Sequence, residues 1–315
     1  MRSDDAGLWA ILGAFLFSIL LMAGLLTLAQ REYVRGLRER QLVGVQTRLG
    51  AEALLVVRVG AGAALGDPEA KLWREAPATQ IALLPQNVAL PAITETAVAS
   101  IALQAVTDGE RIAFRLSWPD ATRDRAQEVT RFGDAAALQF PLAEDATYMM
   151  GAAGKRVQIL HWKALWQRDV DEGFQDVQDL HPNYWVDLYW FAAGSFPQRV
   201  PEDFADTRAQ AWFPARAAGN PIAQWNRVEP IEELIAEGFG TLTAQRESAS
   251  AGRAVWREGR WWLTVVRPLE TQDPNDYQFR LDRPGSVGVA IWDGSAGNVG
   301  GRKQYSPWLR FEVQG

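Results

Sequence analysis

In the stretch Arg111-Ile112-Ala113-Phe114-Arg115-Leu116-Ser117-Trp118 every second side chain is large and apolar. A period of two sends Ile112, Phe114, Leu116 and Trp118 to one face and the polar or small residues to the other. That is the signature of a half-buried strand, which a helix cannot satisfy. The preceding run, 101–106, joins it through Asp108-Gly109, a hairpin signal. A second hairpin is expected from Ala254-Val255-Trp256 through Glu258-Gly259 into 261–266. Further strands are expected at 136–140, 157–162, 184–190, 287–292 and 308–313. Many short strands with turn signals predict a mainly β fold, an antiparallel β-sandwich with helical insertions. The pattern loosens at about 191–253, where prolines, alanines and short helical pieces such as 230–236 predict an insertion packed on the sandwich.

Residues 7–29 carry no charge, 23 positions rich in Leu, Ala, Ile and Phe. As a helix they would reach about 35 Å, enough to cross a bilayer with some tilt. This predicts a single N-terminal transmembrane helix, a membrane anchor over 1–30. A cleaved signal and a buried soluble helix are the alternatives, and Thr27-Leu28-Ala29 imitates an A-x-A cleavage site only poorly. Arg31, Arg35, Arg38 and Arg40 follow the span against Arg2 before it. The positive-inside count therefore favours a cytoplasmic domain, although long domains translocate despite such a bias. Residues 31–79 read as a helical neck and linker. Within them the cluster 60–66 follows Leu54-Leu55-Val56-Val57 and faintly imitates a dinucleotide loop. Its spacing is not G-x-G-x-x-G, and Asp67-Pro68 would interrupt the helix that such a loop needs, so a linker is the simpler reading. The sandwich domain is then 80–315.

Several chemistries are excluded early. A net charge of −6 argues against nucleic acid. With no cysteine there are no disulfides, thiolate zinc sites, cysteine-held iron–sulfur clusters or C-x-x-C-H haem attachment, and redox chemistry leaves the compartment open. His161 and His181 have no metal-ligand spacing, and no G-x-S-x-G is present. Glu232-Glu233 reads as a solvated face of the short helical piece.

Two scarce residue types fall at unusual places. Beyond the anchor the only methionines are Met149 and Met150, in Tyr148-Met149-Met150-Gly151. Of four lysines against 28 arginines, Lys303 ends the loop Gly300-Gly301-Arg302-Lys303 that follows Trp292-Asp293-Gly294. Taken alone, the methionine is core filler and the lysine a surface cation.

The motifs in order change that reading. Ser117-Trp118-Pro119-Asp120-Ala121-Thr122 is followed by Met150-Gly151 and by Val157-Gln158-Ile159-Leu160-His161-Trp162-Lys163-Ala164. Then come Ala236-Glu237-Gly238-Phe239-Gly240-Thr241-Leu242-Thr243, Trp262 with Arg267-Pro268-Leu269, Ala290-Ile291-Trp292-Asp293-Gly294 and Gly301-Arg302-Lys303. Over residues 80–315 the chain resembles the haem-b-binding γ subunits of ethylbenzene dehydrogenase and dimethylsulfide dehydrogenase, from complexes built on a DMSO-reductase-type molybdenum subunit. The resemblance implies a β-sandwich holding one non-covalent haem b between an axial methionine and an axial lysine. The Met-Gly motif gives Met150, with Met149 as the neighbouring alternative, and the Gly-Arg-Lys motif gives Lys303. His161 falls on a strand position as a structural or haem-neighbouring residue. Trp162, Trp166, Trp185 and Trp190 fall as core or pocket walls.

Thioether and amine suit such a role. Methionine favours reduced iron, and lysine ligates only as the neutral amine, which burial promotes and arginine cannot provide. With both axial positions filled, the implied task is electron transfer and not catalysis. The implied partners are a molybdenum-containing catalytic subunit and an iron–sulfur subunit. The anchor adds the membrane and a quinone-linked or cytochrome c redox partner, with no nucleic acid. The family's subunits are soluble and periplasmic, so the anchored chain departs from them while its domain is expected in the periplasm. A haem-free, carbohydrate-binding-like module on the same sandwich is the alternative. Exposed tryptophans in a row would favour that module, and a buried slot with Met150 facing Lys303 the cytochrome.

Overall fold

The structure, a computed structural model, describes residues 22, 24, 53–175, 179, 181–183, 213–224 and 227–314. The expected anchor and the expected strand at 184–190 lie outside the described residues, apart from Met22 and Gly24. Among the described residues no helix is long and apolar enough to cross a membrane.

The described strands are β1 (Leu54–Arg58), β2 (Thr79–Ala82), β3 (Leu84–Pro85), β4 (Ser100–Thr107), β5 (Arg111–Pro119), β6 (Ala135–Pro141), β7 (Val157–Lys163), β8 (Ile231–Ala236), β9 (Thr243–Ala244), β10 (Ala251–Arg257), β11 (Arg260–Pro268), β12 (Gly285–Trp292), β13 (Gln304–Tyr305) and β14 (Leu309–Val313). Helix α1 (Ala164–Glu172) follows β7 directly, and α2 (Pro214–Ala217) is a single short turn. The strands are ordered β10-β11-β5-β4-β1-β14-β12-β6-β7-β8-β9, with β2 on β4 and with β13 between β12 and β3. Both expected hairpins form: β4 pairs with β5, and β10 with β11, in antiparallel register.

The sheet is mixed, not purely antiparallel, because β1 runs parallel to both of its neighbours, β4 and β14. Leu54-Leu55-Val56-Val57, assigned to the linker from sequence, is this inner strand. Its two faces are both apolar. Leu54 and Val56 enter the main core, while Val57 packs with Leu65, Trp73, Val106, Ala113 and Val266. A continuous apolar run bounded by glycines is what a strand covered on both sides requires, and periodicity alone does not reveal it. The segment after it is packed as well: Thr264 Oγ1 donates to Gly66 O at 2.7 Å, and Gln104 Nε2 donates to Trp73 O and Ala76 O.

In the stretch 230–236, expected as a helical piece, Ile231–Ala236 form β8. Ile231 faces the main core, while Leu234 and Ala236 face the other side, so the period is two. Glu232 and Glu233 are therefore buried on opposite faces, not solvated. Glu233 meets the fully enclosed Arg267 at 3.4 Å, and Arg267 also reaches Asp276 at 2.6 Å.

β12 changes partners midway, pairing β14 through 285–287 and β6 through 288–292. It thereby links the β10-β11-β5-β4-β1-β14 layer to the β6-β7-β8-β9 layer. One core lies under both layers, with Leu54, Phe114, Leu116 and Leu263 from the first and Ala136, Leu138, Phe140 and Leu160 from the second. This arrangement is consistent with a sandwich. Each such leucine or phenylalanine removed from water contributes roughly 1.5–3 kcal/mol. At one end Trp118, Trp162 and Trp261 pack together, with ring centroids 5.0–6.3 Å apart. Trp162 is therefore a core residue on the face turned away from the site.

Candidate functional site

The outer face of the β12-β6-β7-β8 layer is the floor of a cavity of about 730 Å³, within the span of cofactor sites. Cross-strand register builds that floor in rows. Gly288, Gln139, Ile159 and Leu234 lie across it, then Ala290, Ala137, His161 and Glu232, then Trp292, Ala135 and Lys163. Glycine and alanine occupy its middle, so backbone lies near the surface and a flat group has room. The residues between these, such as Ala136, Leu138 and Trp162, point into the core; alternation thus yields two apolar faces from one set of strands.

Met150 hangs over the floor from the loop between β6 and β7. Its φ of +66° and that of Gly151, +75°, are both left-handed. A Cβ at Gly151 would lie 2.5 Å from Lys155 O and 3.1 Å from Ala236 O, so glycine is needed there. Met150 O accepts from Gly238 N at 2.8 Å, and Gly151 N donates to Thr147 O at 2.9 Å. The strained turn is held from both sides and aims the thioether inward. Met149, next to it, also lines the cavity but is less buried.

Lys303 comes from the loop before β13. Gln86, 2% exposed, anchors that loop. Its Nε2 donates to Gly301 O at 2.8 Å, and its backbone N donates to Lys303 O at 2.9 Å. Gly301 is required because a Cβ there would sit 2.8 Å from Pro91 O. Trp292 Nε1 donates to Gly300 O at 3.0 Å, and the Trp292 ring lies 5.2 Å beneath Lys303 Nζ.

The two loops bring Lys303 Nζ to 3.4 Å from Met150 Sδ. Among the described residues no carboxylate pairs with Lys303, and burial pushes its ammonium down to about 8. His161, on the floor, has its ring 4.8 Å from that of Trp292. Burial first, then the cationic Lys163 and Lys303, hold it well below the ordinary histidine range, so the imidazole is neutral; its buried Nε2 has no hydrogen-bond partner. At the far end of the floor Lys163 and Arg227 lie over Trp166, with Lys163 bonded to Glu232 and Arg227 Nη1 3.4 Å from Asp169.

Of the residues singled out from sequence, Met150, Lys303, Met149 and His161 share this cavity, and Trp162 does not. Trp166 lines it; Trp185 and Trp190 lie outside the described residues. Gln86 was missed, since its role depends on a contact 215 residues away. The floor alanines were missed too, although their alternation with Leu138 and Phe140 in β6 carried the signal.

The donor set is one soft thioether and one amine that burial drives toward its neutral form, facing one another above a flat apolar floor. Among the described residues no carboxylate pairs with the amine, and the carboxylates that line the cavity, Asp134 and Asp169, have other partners. This fits a planar cofactor whose metal takes one ligand from each side.

Comparison with known proteins agrees in extent with the motifs. Residues 70–304 match the family described as ethylbenzene dehydrogenase. The chain is 32% identical over 250 residues to the chlorate reductase subunit gamma of Ideonella dechloratans, covering 78% of this chain and 77% of that protein. It is 25% identical over 245 residues to a putative respiratory nitrate reductase heme subunit, ORF7, of Haloferax mediterranei, covering 78% and 67%. To the dimethylsulfide dehydrogenase subunit gamma of Rhodovulum sulfidophilum it is 29% identical over 271 residues, covering 81% and 78%.

Proposed function

The chain belongs to the ethylbenzene dehydrogenase family, and from that premise we propose that it is the b-type cytochrome subunit of a molybdenum oxidoreductase complex, holding one haem b between Met150 and Lys303. Relatives named as heme and gamma subunits make it a non-catalytic, electron-transferring chain of an oxidoreductase complex. A heme subunit without a single cysteine must hold its haem non-covalently, which supports the b type.

The observation that carries the reading is the approach of Lys303 Nζ to Met150 Sδ, 3.4 Å, with no carboxylate paired to the amine among the described residues. A bound haem would supply a one-electron carrier. Met150 offers a soft sulfur that favours reduced iron, and Lys303 a neutral amine already favoured by burial. The Gly288, Ala290, Ala135 and Ala137 floor leaves room for a flat ring. With a ligand from each side no position is left for substrate, so the site moves electrons. The rival binding module is not supported: none of the exposed large hydrophobic residues among those described is a tryptophan.

The partners we assign are a molybdenum-containing catalytic subunit and an iron–sulfur subunit, by kinship with named subunits of such enzymes. The uncharged run at 7–29 supports an anchor in the membrane, and a quinone-linked or cytochrome c partner beside it. We place the domain in the periplasm, against the positive-inside count. The test is the visible spectrum of the purified full chain, oxidised and dithionite-reduced, after expression with ample haem. A low-spin b-type spectrum is expected; a chain that takes up no haem overturns the reading and leaves a binding module.

A further inference from the structure

At the cavity wall, which Asp134 lines, three carboxylates from distant motifs converge. Asp120 comes from Ser117-Trp118-Pro119-Asp120, Asp134 precedes β6, and Asp293 follows β12 in Trp292-Asp293-Gly294. One oxygen of each lies within 4.8 Å of the others. Asp120 and Asp134 are 4% and 1% exposed. Among the described residues none of the three takes part in an ion pair.

Their hydrogen bonds are uneven. Asp134 accepts from Gly294 N at 2.9 Å, Asp124 N at 2.8 Å and Trp261 Nε1 at 3.0 Å, a set of donors that suits an ionised carboxylate. Asp293 Oδ1 accepts from Ser295 Oγ and Ala296 N. Asp120 Oδ1 accepts from Thr122 N at 3.1 Å, but its buried Oδ2 has no partner at all. A buried carboxylate oxygen with no donor, beside two further carboxylates and without an ion-paired cation among the described residues, is a costly arrangement unless something positive completes it. The approach is also tight: a Cβ at Gly294 would lie 2.0 Å from Phe132 O.

We propose that Asp120, Asp134 and Asp293 bind a hard divalent cation of the Ca²⁺ type, which pins the 120–134 segment to the start of the loop that carries Lys303. All three donors are oxygens, with no nitrogen or sulfur among them, which selects Ca²⁺ over Zn²⁺. Burial and mutual repulsion push Asp134 up to about 8 and Asp120 to about 6, the condition that a cation relieves. The site does not depend on haem.

The test uses the full chain with Tb³⁺ as probe. Trp261 donates to Asp134, so an ion held there lies close to an indole and should emit when tryptophan is excited. Saturable emission that Ca²⁺ displaces is expected, with loss in Asp120→Asn and in Asp293→Asn but not in Asp145→Asn, an exposed control. In thermal unfolding, Ca²⁺ at a hundredfold excess over its Kd should raise Tm by about 5 °C relative to chelator, and neither site variant should respond. Relief of repulsion should leave both variants at least as stable as the parent in chelator. Equal Tm in Ca²⁺ and chelator, with no Tb³⁺ emission that Ca²⁺ displaces, would overturn the proposal and leave a proton shared among the carboxylates.

Discussion

Lys303 Nζ stands 3.4 Å from Met150 Sδ, although the two residues are separated by 153 positions and are carried by loops on different strands. A lysine left beside a thioether in a buried cavity gains little there as an ammonium. As a neutral amine opposite a sulfur, it would form half of the proposed clamp. The surrounding glycines and Gln86 keep both loops in place.

The Met150 loop should be sensitive to the glycine beside it. Gly151→Ala adds a clash with Lys155 O to an unfavourable φ, whereas Gly154→Ala, at φ +72° in open space, meets only the backbone cost. We expect Gly154→Ala to lose about 1 kcal/mol and Gly151→Ala about 2 kcal/mol or more, with poorer haem retention in the second alone. Urea unfolding with haem quantitation checks both, and equal losses would contradict the assigned geometry.

Ala137, at the centre of the floor, tests whether the cavity is the cofactor site. Ala137→Phe fills the space above the sheet without entering the core, so stability should change by no more than about 1–3 kcal/mol. Haem content should fall at least tenfold while the circular dichroism spectrum is retained. Full haem occupancy in this variant would place the cofactor elsewhere.

The amine makes haem binding depend on pH. Burial holds Lys303 at about 8 against 10.5 for an ordinary lysine. Below about pH 8 a proton must leave before the amine can bind iron, so affinity should rise about tenfold per pH unit from 6 to 8 and level off above. In the haem-free chain both folded and unfolded states hold the proton below 8, but only the unfolded state holds it between 8 and 10.5. Lys303 therefore makes stability rise with pH across that window. Haem titrations and urea unfolding of the parent and Lys303→Met read both effects; parallel pH profiles in the two proteins would count against a buried, displaceable proton.

Arg267 neutralises two enclosed acids, Glu233 and Asp276. Arg267→Met strands both and should cost about 3–5 kcal/mol. A triple variant that also carries Glu233→Gln and Asp276→Asn should recover much of that loss. Chemical denaturation measures it, and a silent Arg267→Met would show that the network is not needed for the fold.

Much of this was legible in the residues. The alternation in 111–118 and Asp108-Gly109 announce β5 and its hairpin because sheet burial and turn geometry are local. β1 escaped because an inner strand is apolar on both faces and looks like a buried run of any kind. β8 escaped because Ile231-Glu232-Glu233-Leu234 places one acid on each face, and partners distant in sequence, Lys163 for one and Arg267 with Ser250 for the other, make that tolerable. Met150 and Lys303, which the structure brings into one cavity, were singled out through motifs in order, not through spacing. Trp162, read as core or pocket wall, is core by alternation: its neighbours His161 and Lys163 face the cavity, and it faces the other way.

The most direct measurement is the reduced-minus-oxidised visible spectrum of the full chain beside Met150→Ala, Lys303→Ala, Met149→Ala and His161→Ala. We expect Met150→Ala and Lys303→Ala each to shift the haem from low spin toward high spin or to lose it, while Met149→Ala and His161→Ala keep the parent's low-spin spectrum. A parent-like spectrum in both Met150→Ala and Lys303→Ala, with the change appearing in Met149→Ala or His161→Ala, would contradict the clamp.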